Sequence, residues 1–168
     1  MILPLLLLFS FVAVPLAFFV AKYLRSTLLA LVPAVLFLGF ASLGVEVIQQ
    51  GELTQQVSWV PSLGISLSLR LDGLALIFAL LITGIGTAIF LYASAYLPSN
   101  WQTPRFFVTL TVFMSSMLGA VLADDLFGLI VFWELTSLAS FMLIGYDPSQ
   151  AQSRRSAQQG LLITVAGG

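Results

Sequence analysis

LFGLIVFWELTSLASFMLIGY, residues 126–146, holds a single charge, Glu134, in 21 positions. A run this long and this apolar can cross the hydrocarbon core as one helix, which takes about 20 residues. At a rise of about 1.5 Å per residue, Glu134 lies roughly 12 Å from the start of that helix, near the bilayer centre. A carboxylate at that depth costs on the order of a few kcal/mol by insertion scales. Intramembrane carboxylates face a bundle interior or a wet cavity and by default mark an ion or proton path.

The rest of the chain agrees with a membrane setting. It is 60% hydrophobic and 8% charged, with a mean hydropathy of +1.08, whereas soluble domains carry about 25% charged residues. Six Lys and Arg against seven Asp and Glu leave a net charge of −1, and nothing in that balance suggests nucleic acid. The chain has neither cysteine nor histidine. That excludes disulfides, thiolate metal sites and iron–sulfur ligation by this polypeptide, along with His-ligated haem and the commonest zinc sites. No cofactor and no bound metal are expected.

Six apolar segments follow one another: Ile2 to Lys22, Ser26 to Ile48, Asp72 to Leu97, Arg105 to Ala123, Leu126 to Tyr146, and a sixth from near Gly160 to Gly168. The first five are long enough to span. The sixth stops short, as in a fragment of a longer chain. The expected fold is an all-α, polytopic transmembrane bundle of about six segments. The first segment lacks a basic stretch before its apolar run and reads as a retained helix, not a cleaved signal. Alternating loops put Lys22, Arg25, Arg105, Arg154 and Arg155 on one side and Arg70 alone on the other. Basic loops stay cytoplasmic, so the N-terminus is expected outside.

Three regions result: spans 1–48, an outer loop 49–71, and a core from 72 to 168. In the loop, Ile65, Leu67, Leu69 and Leu71 alternate with Ser66, Ser68 and Arg70. That period of two predicts a half-buried strand. Residues 57–60 are rich in strand formers and are its expected partner, with Pro61, Ser62 and Gly64 as the turn. An irregular loop is the alternative.

Each polar group has a structural and a functional reading. Glu134 is either a neutralised, hydrogen-bonded carboxyl or a relay group whose charge is set by desolvation and a nearby cation. Every Lys and Arg of the chain lies at or beyond a helix end, so such a cation would come from another helix or a neighbouring protein. Ser137, three residues on, shares the Glu134 face. Thr136 and Ser140 do not, and their hydroxyls are expected to bond back to carbonyls four residues earlier. Asp124 and Asp125 precede the fifth helix and read as N-caps, with a cation-attracting outer vestibule as the alternative. Asp72 reads as a cap for the third helix, and Glu46 as interfacial. Gly84 with Ala88, and Ser115, Gly119 and Ala123, form small-residue stripes that let helices approach closely.

The run Phe132-Trp133-Glu134-Leu135-Thr136-Ser137-Leu138-Ala139-Ser140-Phe141 resembles the fifth helix of the A-type subunit of the Mrp-type multisubunit sodium/proton antiporters. Leu71-Asp72-Gly73-Leu74 and residues 81–86 (LITGIG) are similar to that family's third helix, and residues 161–164 (LLIT) with Gly167-Gly168 to its sixth. The likeness runs from about Ser66 to the end. Complex I large membrane subunits and related hydrogenase subunits share the Trp-Glu pair and Arg105-Phe106-Phe107. They tend to carry Gly-Val-Gly where this chain has Leu135-Thr136-Ser137, which favours the antiporter branch. The resemblance implies that residues 72–168 begin an antiporter-like core and that Glu134 is the relay, paired with a lysine on a seventh helix. It implies other membrane subunits as partners, with protons and a monovalent cation as cargo. Relatives commonly carry Asp-Asn where this chain has Asp124-Asp125, a departure that goes beyond a single cap. The alternative is a proton-pumping membrane-arm subunit of a complex I-like oxidoreductase. A purely structural assembly role is a third reading.

Overall fold

Long apolar runs broken by short polar stretches become helices, because a helix alone satisfies its backbone groups without water. The computed structural model describes residues 1–60, 65–97, 102–146 and 151–167. Helix α1 spans Ile2–Tyr23. A 3₁₀ turn, Ser26–Ala30, leads into α2, Leu31–Gln50. Strands β1, Glu52–Val60, and β2, Ile65–Asp72, follow. Then come α3, Gly73–Tyr96, α4, Thr103–Leu122, α5, Leu126–Ile144, and α6, Ala151–Gly167. Five of these segments are long and apolar enough to cross a membrane. The chain is a polytopic helix bundle, as its composition requires.

The bundle is organised around α4. That helix is 56% buried along its span, against 22–39% for the other four. It packs on α1 and α5 and also touches α3, while α2 lies against α3. Small residues make these approaches possible. A Cβ on Gly119 would run into the Phe132 ring, with Cε1 at 2.7 Å, and one on Gly39 would meet Leu6 Cδ2 at 2.9 Å. Phe132 in turn lies against Phe11, ring centroids 6.1 Å apart. Phe90 and Phe107 join α3 to α4 at 5.8 Å. The hydroxyls of the α3 small-residue face turn inward on their own helix: Thr83 Oγ1 donates to Ala79 O at 2.7 Å and Thr87 Oγ1 to Thr83 O at 2.8 Å.

Strands β1 and β2 pair antiparallel from Glu52↔Asp72 to Val60↔Ile65. The hairpin is longer than the sequence suggests, starting at Glu52 instead of Val57. Gly51, at φ 86°, makes the turn from α2 into β1, a conformation that costs glycine nothing. The expected turn residues Pro61, Ser62 and Gly64 lie outside the described residues. Leu69 and Leu71 are buried, Leu67 is half-buried, and Ser66 and Arg70 are exposed, so the alternation holds there. It fails at Ser68, which is 6% exposed. We therefore expect Leu67→Asp to lower the yield of assembled protein severalfold while Ser66→Asp leaves it near wild type, since a charge on the buried face has no partner. Equal yields on a membrane immunoblot would deny the hairpin a buried face.

The sixth helix departs from expectation. It begins at Ala151, nine residues before the apolar run at Gly160. Its first turns, AQSRRSAQQ, are polar but made mostly of good helix formers, and a hydropathy criterion cannot see them. Ala157, 1% exposed, anchors this part near Gly145, the residue that ends α5.

Candidate functional site

The N-terminal end of α1, the C-terminal ends of α2 and α4, and the N-terminal ends of α3 and α5 all meet the hairpin. Leu3 N donates to Gln55 Oε1 at 3.1 Å, tying α1 to β1. Gly51 and Asp72 join the strands directly to α2 and α3. Asp72 caps α3, its Oδ1 accepting from Ala75 N at 2.8 Å. Lys22, Arg25, Arg105, Arg154 and Arg155 fall at the opposite end of the bundle, which is the asymmetry read from the loops.

Asp124 and Asp125 do more than cap. Asp125 Oδ1 accepts from Gly128 N at 2.7 Å, closing the first turn of α5, while its Oδ2 accepts from Ser68 N at 2.9 Å. Asp124 N donates to Ser68 O at 2.8 Å, and Leu69 and Ala123 form an antiparallel bridge. The chain before α5 is thus held to β2 by one isolated antiparallel bridge and the Asp124–Ser68 bond. Ser68 is buried beneath it, which explains the break in the strand's alternation. Arg70 Nε reaches Asp124 Oδ1 at 2.9 Å, and its Nη1 lies 3.8 Å from Glu52. Both acidic side chains are engaged with the hairpin. Arg70 thus pairs with the first of the two carboxylates, Asp124, and the second, Asp125, bonds to Ser68 N and Gly128 N. Nothing in the spacing of the sequence pointed to Ser68 or Arg70 as their partners.

Glu134 is partly buried on α5, eight residues below Leu126 and so about 12 Å from the hairpin end. Among the described residues, none forms a hydrogen bond or ion pair with its carboxylate. Ser137 is buried, and its Oγ donates back to Trp133 O at 3.3 Å. Thr136 donates to Phe132 O at 2.8 Å. Glu46 is exposed near the end of α2.

At a similar depth lie Ser10 of α1 and Ser115 and Ser116 of α4, all fully buried. Ser10 and Ser116 donate to carbonyls of their own helices, at 2.7 Å each. Ser115 Oγ is buried without a hydrogen-bond partner. The sequence showed Ser115 only as a member of a small-residue stripe. It did not show that this hydroxyl, unlike its neighbours, is left unbonded at the level of the glutamate. The Tyr146 hydroxyl, also buried without a partner, lies past the end of α5. Among the described residues, Glu134 and Ser115 supply an ionisable carboxyl and an unbonded buried hydroxyl at the glutamate's depth. Such a set can hold and release a proton and can anchor water. Among the described residues no group of three or more acidic side chains could hold a metal ion.

Residues 58–107 match the family model described as NADH-ubiquinone oxidoreductase (complex I), chain 5 N-terminus. A putative antiporter subunit mnhA2 of Staphylococcus aureus is 50% identical over 123 residues, covering 73% of this chain and 15% of that protein. The A-type Na(+)/H(+) antiporter subunit of Alkalihalophilus pseudofirmus is 45% identical over 155 residues, 89% of this chain and 19% of that one. A probable K(+)/H(+) antiporter subunit of Rhizobium meliloti, of type A/B, is 47% identical over 134 residues, 80% and 13% respectively. The chain thus spans less than a fifth of the length of these relatives. Its fold superposes on a chain of the Mrp complex from Dietzia sp. DQ12-45-1b with a TM-score of 0.80 at 32% identity, covering 99% of this chain and 18% of that one. An archaeal membrane-bound sulfane sulfur reductase shares the fold, with a TM-score of 0.79 at 20% identity, over 99% of this chain and 26% of that one.

Proposed function

The chain is a relative of the A-type subunit of the Mrp-type multisubunit Na+/H+ antiporters, and from that premise we propose that it forms part of a monovalent cation/proton antiporter with Glu134 as its relay carboxyl. One observation carries the proposal. Glu134 is the only charge in the 19-residue span of α5, at a depth where a carboxylate persists only with a purpose or a partner. Among the described residues it has no partner. A cation that holds its charge would come from a helix of the longer protein or from a neighbouring subunit. The cargo is protons and a monovalent cation. The other membrane subunits of the complex are the partners, and the work is transport driven by the proton gradient, not catalysis by this chain. The test is cation-dependent proton flux through the whole complex carrying Glu134→Gln, with loss of flux as the expected result.

A second reading makes the chain a proton-pumping membrane-arm subunit of a redox complex. The match of residues 58–107 to a complex I family model favours it. Identities of 45–50% to antiporter subunits favour the first. Redox subunits co-purifying with the intact protein would decide for the second.

The loop charges argue for the hairpin outside and the Arg105 and Arg154–Arg155 end in the cytoplasm. Gln55 is occupied by Leu3, so exposed Gln56 is the better reporter on the hairpin, with exposed Gln152 at the other end. The chain has no cysteine of its own. In intact cells, Gln56→Cys should label with a membrane-impermeant thiol reagent and Gln152→Cys only after permeabilisation. The reverse pattern would invert the topology.

A further inference from the structure

We propose that the cavity between the first turns of α4 and the last turn of α5 binds the phosphodiester of an anionic phospholipid, with the Tyr146 hydroxyl and the Arg105 guanidinium as donors. Tyrosines are common at membrane–water interfaces, where the ring lies among apolar groups and the hydroxyl meets water or a headgroup. Tyr146 ends the apolar run of the fifth segment and belongs at that level. Its hydroxyl is instead buried, without a hydrogen-bond partner among the described residues. The ring stands edge-on to Phe106, centroids 5.2 Å apart at 77°. A buried hydroxyl left unbonded forfeits the hydrogen bonds it made in water. Such an orphan marks a group that the described chain does not itself supply.

The surroundings of the hydroxyl select the group. Tyr146 lines a cavity of about 180 Å³, well beyond the share of one water in the liquid, about 30 Å³. Gln102, Arg105 and Thr109 line its other wall, at spacings of three and four that put them on one face of α4. Arg105 brings a full positive charge, and the N-terminal end of α4 adds a partial one. Gln102 and Arg105 also interact with protein groups, but a guanidinium has five N–H donors in a fork suited to phosphate oxygens. Thr109 Oγ1 donates to Arg105 O at 2.9 Å and adds no free donor. Met142 and Leu143 of α5 give the cavity an apolar side. A phospholipid presents its groups in the matching order, with phosphate oxygens for Tyr146 and Arg105 and glycerol and upper acyl carbons for Met142 and Leu143. The cavity opens at the end of the bundle that carries Lys22, Arg25, Arg154 and Arg155, the end that draws an anionic lipid surface. Asp147, next in the sequence, lies outside the described residues.

The test titrates the whole complex, solubilised in detergent and stripped of lipid, with dioctanoyl phosphatidylglycerol while its melting temperature is followed. A ligand that binds only the folded state raises that temperature. Phosphatidylglycerol should do so in the wild type. Tyr146→Phe and Arg105→Gln should each need about tenfold more lipid for the same rise, the scale of one hydrogen bond to a charged group. Tyr146→Phe removes one oxygen and no hydrogen bond within the described protein, so without lipid its melting temperature should stay level or rise. A purely structural hydroxyl predicts a fall there. Lys22→Gln removes a charge at the same end but outside the cavity and should titrate as the wild type does. Inorganic phosphate at equal concentration should leave the melting temperature unchanged, and dioctanoyl phosphatidylcholine should act about tenfold more weakly or less. No rise in the wild type, or a wild-type titration in Tyr146→Phe, would overturn the site and leave water as the partner of the hydroxyl. A fall in lipid-free Tyr146→Phe would overturn it too. An equal loss in Lys22→Gln would replace it with attraction to the charged end as a whole. An equal response to inorganic phosphate would overturn the lipid as ligand, and an equal response to phosphatidylcholine would overturn its anionic class.

Discussion

Replacing Glu134 with glutamine should abolish cation-dependent proton flux while leaving the complex assembled. Glutamine keeps the volume of the side chain and a carbonyl acceptor but cannot take up and release a proton. The loss should be about a hundredfold or more, the scale on which a positioned proton-transfer group contributes. Glu134→Asp keeps the acid on a stem one methylene shorter and should retain partial activity. A structural carboxyl predicts the opposite order. A neutral amide relieves the desolvation of a buried charge and should be tolerated or stabilising. Flux measured in vesicles containing the whole complex, normalised to an immunoblot, distinguishes them. Wild-type flux from a fully assembled Glu134→Gln complex would remove this residue from the mechanism.

The second large effect is expected at Gly119, and it falls on assembly. Two terms compete when alanine replaces it. Helix propensity favours alanine by about 1 kcal/mol. Against this, the new methyl would occupy the space of the Phe132 ring, whose Cδ1, Cγ and Cε1 all lie within 2.7 Å of it. Displacing one flexible methyl is cheap, but here a whole ring must move, and Phe11 stands behind it at 6.1 Å. Overpacking of this kind costs roughly 1–3 kcal/mol, so the clash wins. Gly119→Ala should lower the assembled protein severalfold, and Phe132→Leu in the same chain should recover much of it by giving back volume. Unchanged assembly in Gly119→Ala would mean that α4 and α5 separate without penalty.

The two effects differ in how visible they are beforehand. Glu134 announces itself: a lone charge in an apolar span is visible from composition alone. Gly119 is visible only as a small residue in a stripe with Ser115 and Ala123. That Phe132 is the side chain filling the space beside it depends on how two helices are rotated against each other, which periodicity does not specify.

The five spans, their alternation, the hairpin and the caps at Asp72 and Asp125 are legible in the linear chain. Each follows from local physics: backbone groups in lipid must be satisfied within a helix, alternation sets a strand's faces, and a carboxylate at a helix start meets free N–H groups. The polar first turns of α6 escape that reading, because hydropathy marks what enters lipid and not what coils. The central place of α4, and the unbonded Ser115 hydroxyl near the depth of Glu134, emerge when the helices pack. So does the clasp of Asp124 and Asp125 on Ser68 and Arg70, more than fifty residues earlier in the chain. Those facts come from contacts between distant segments. A carboxylate's second oxygen has no preferred partner in the local sequence. It takes whichever N–H the packing of β2 against α5 brings within reach.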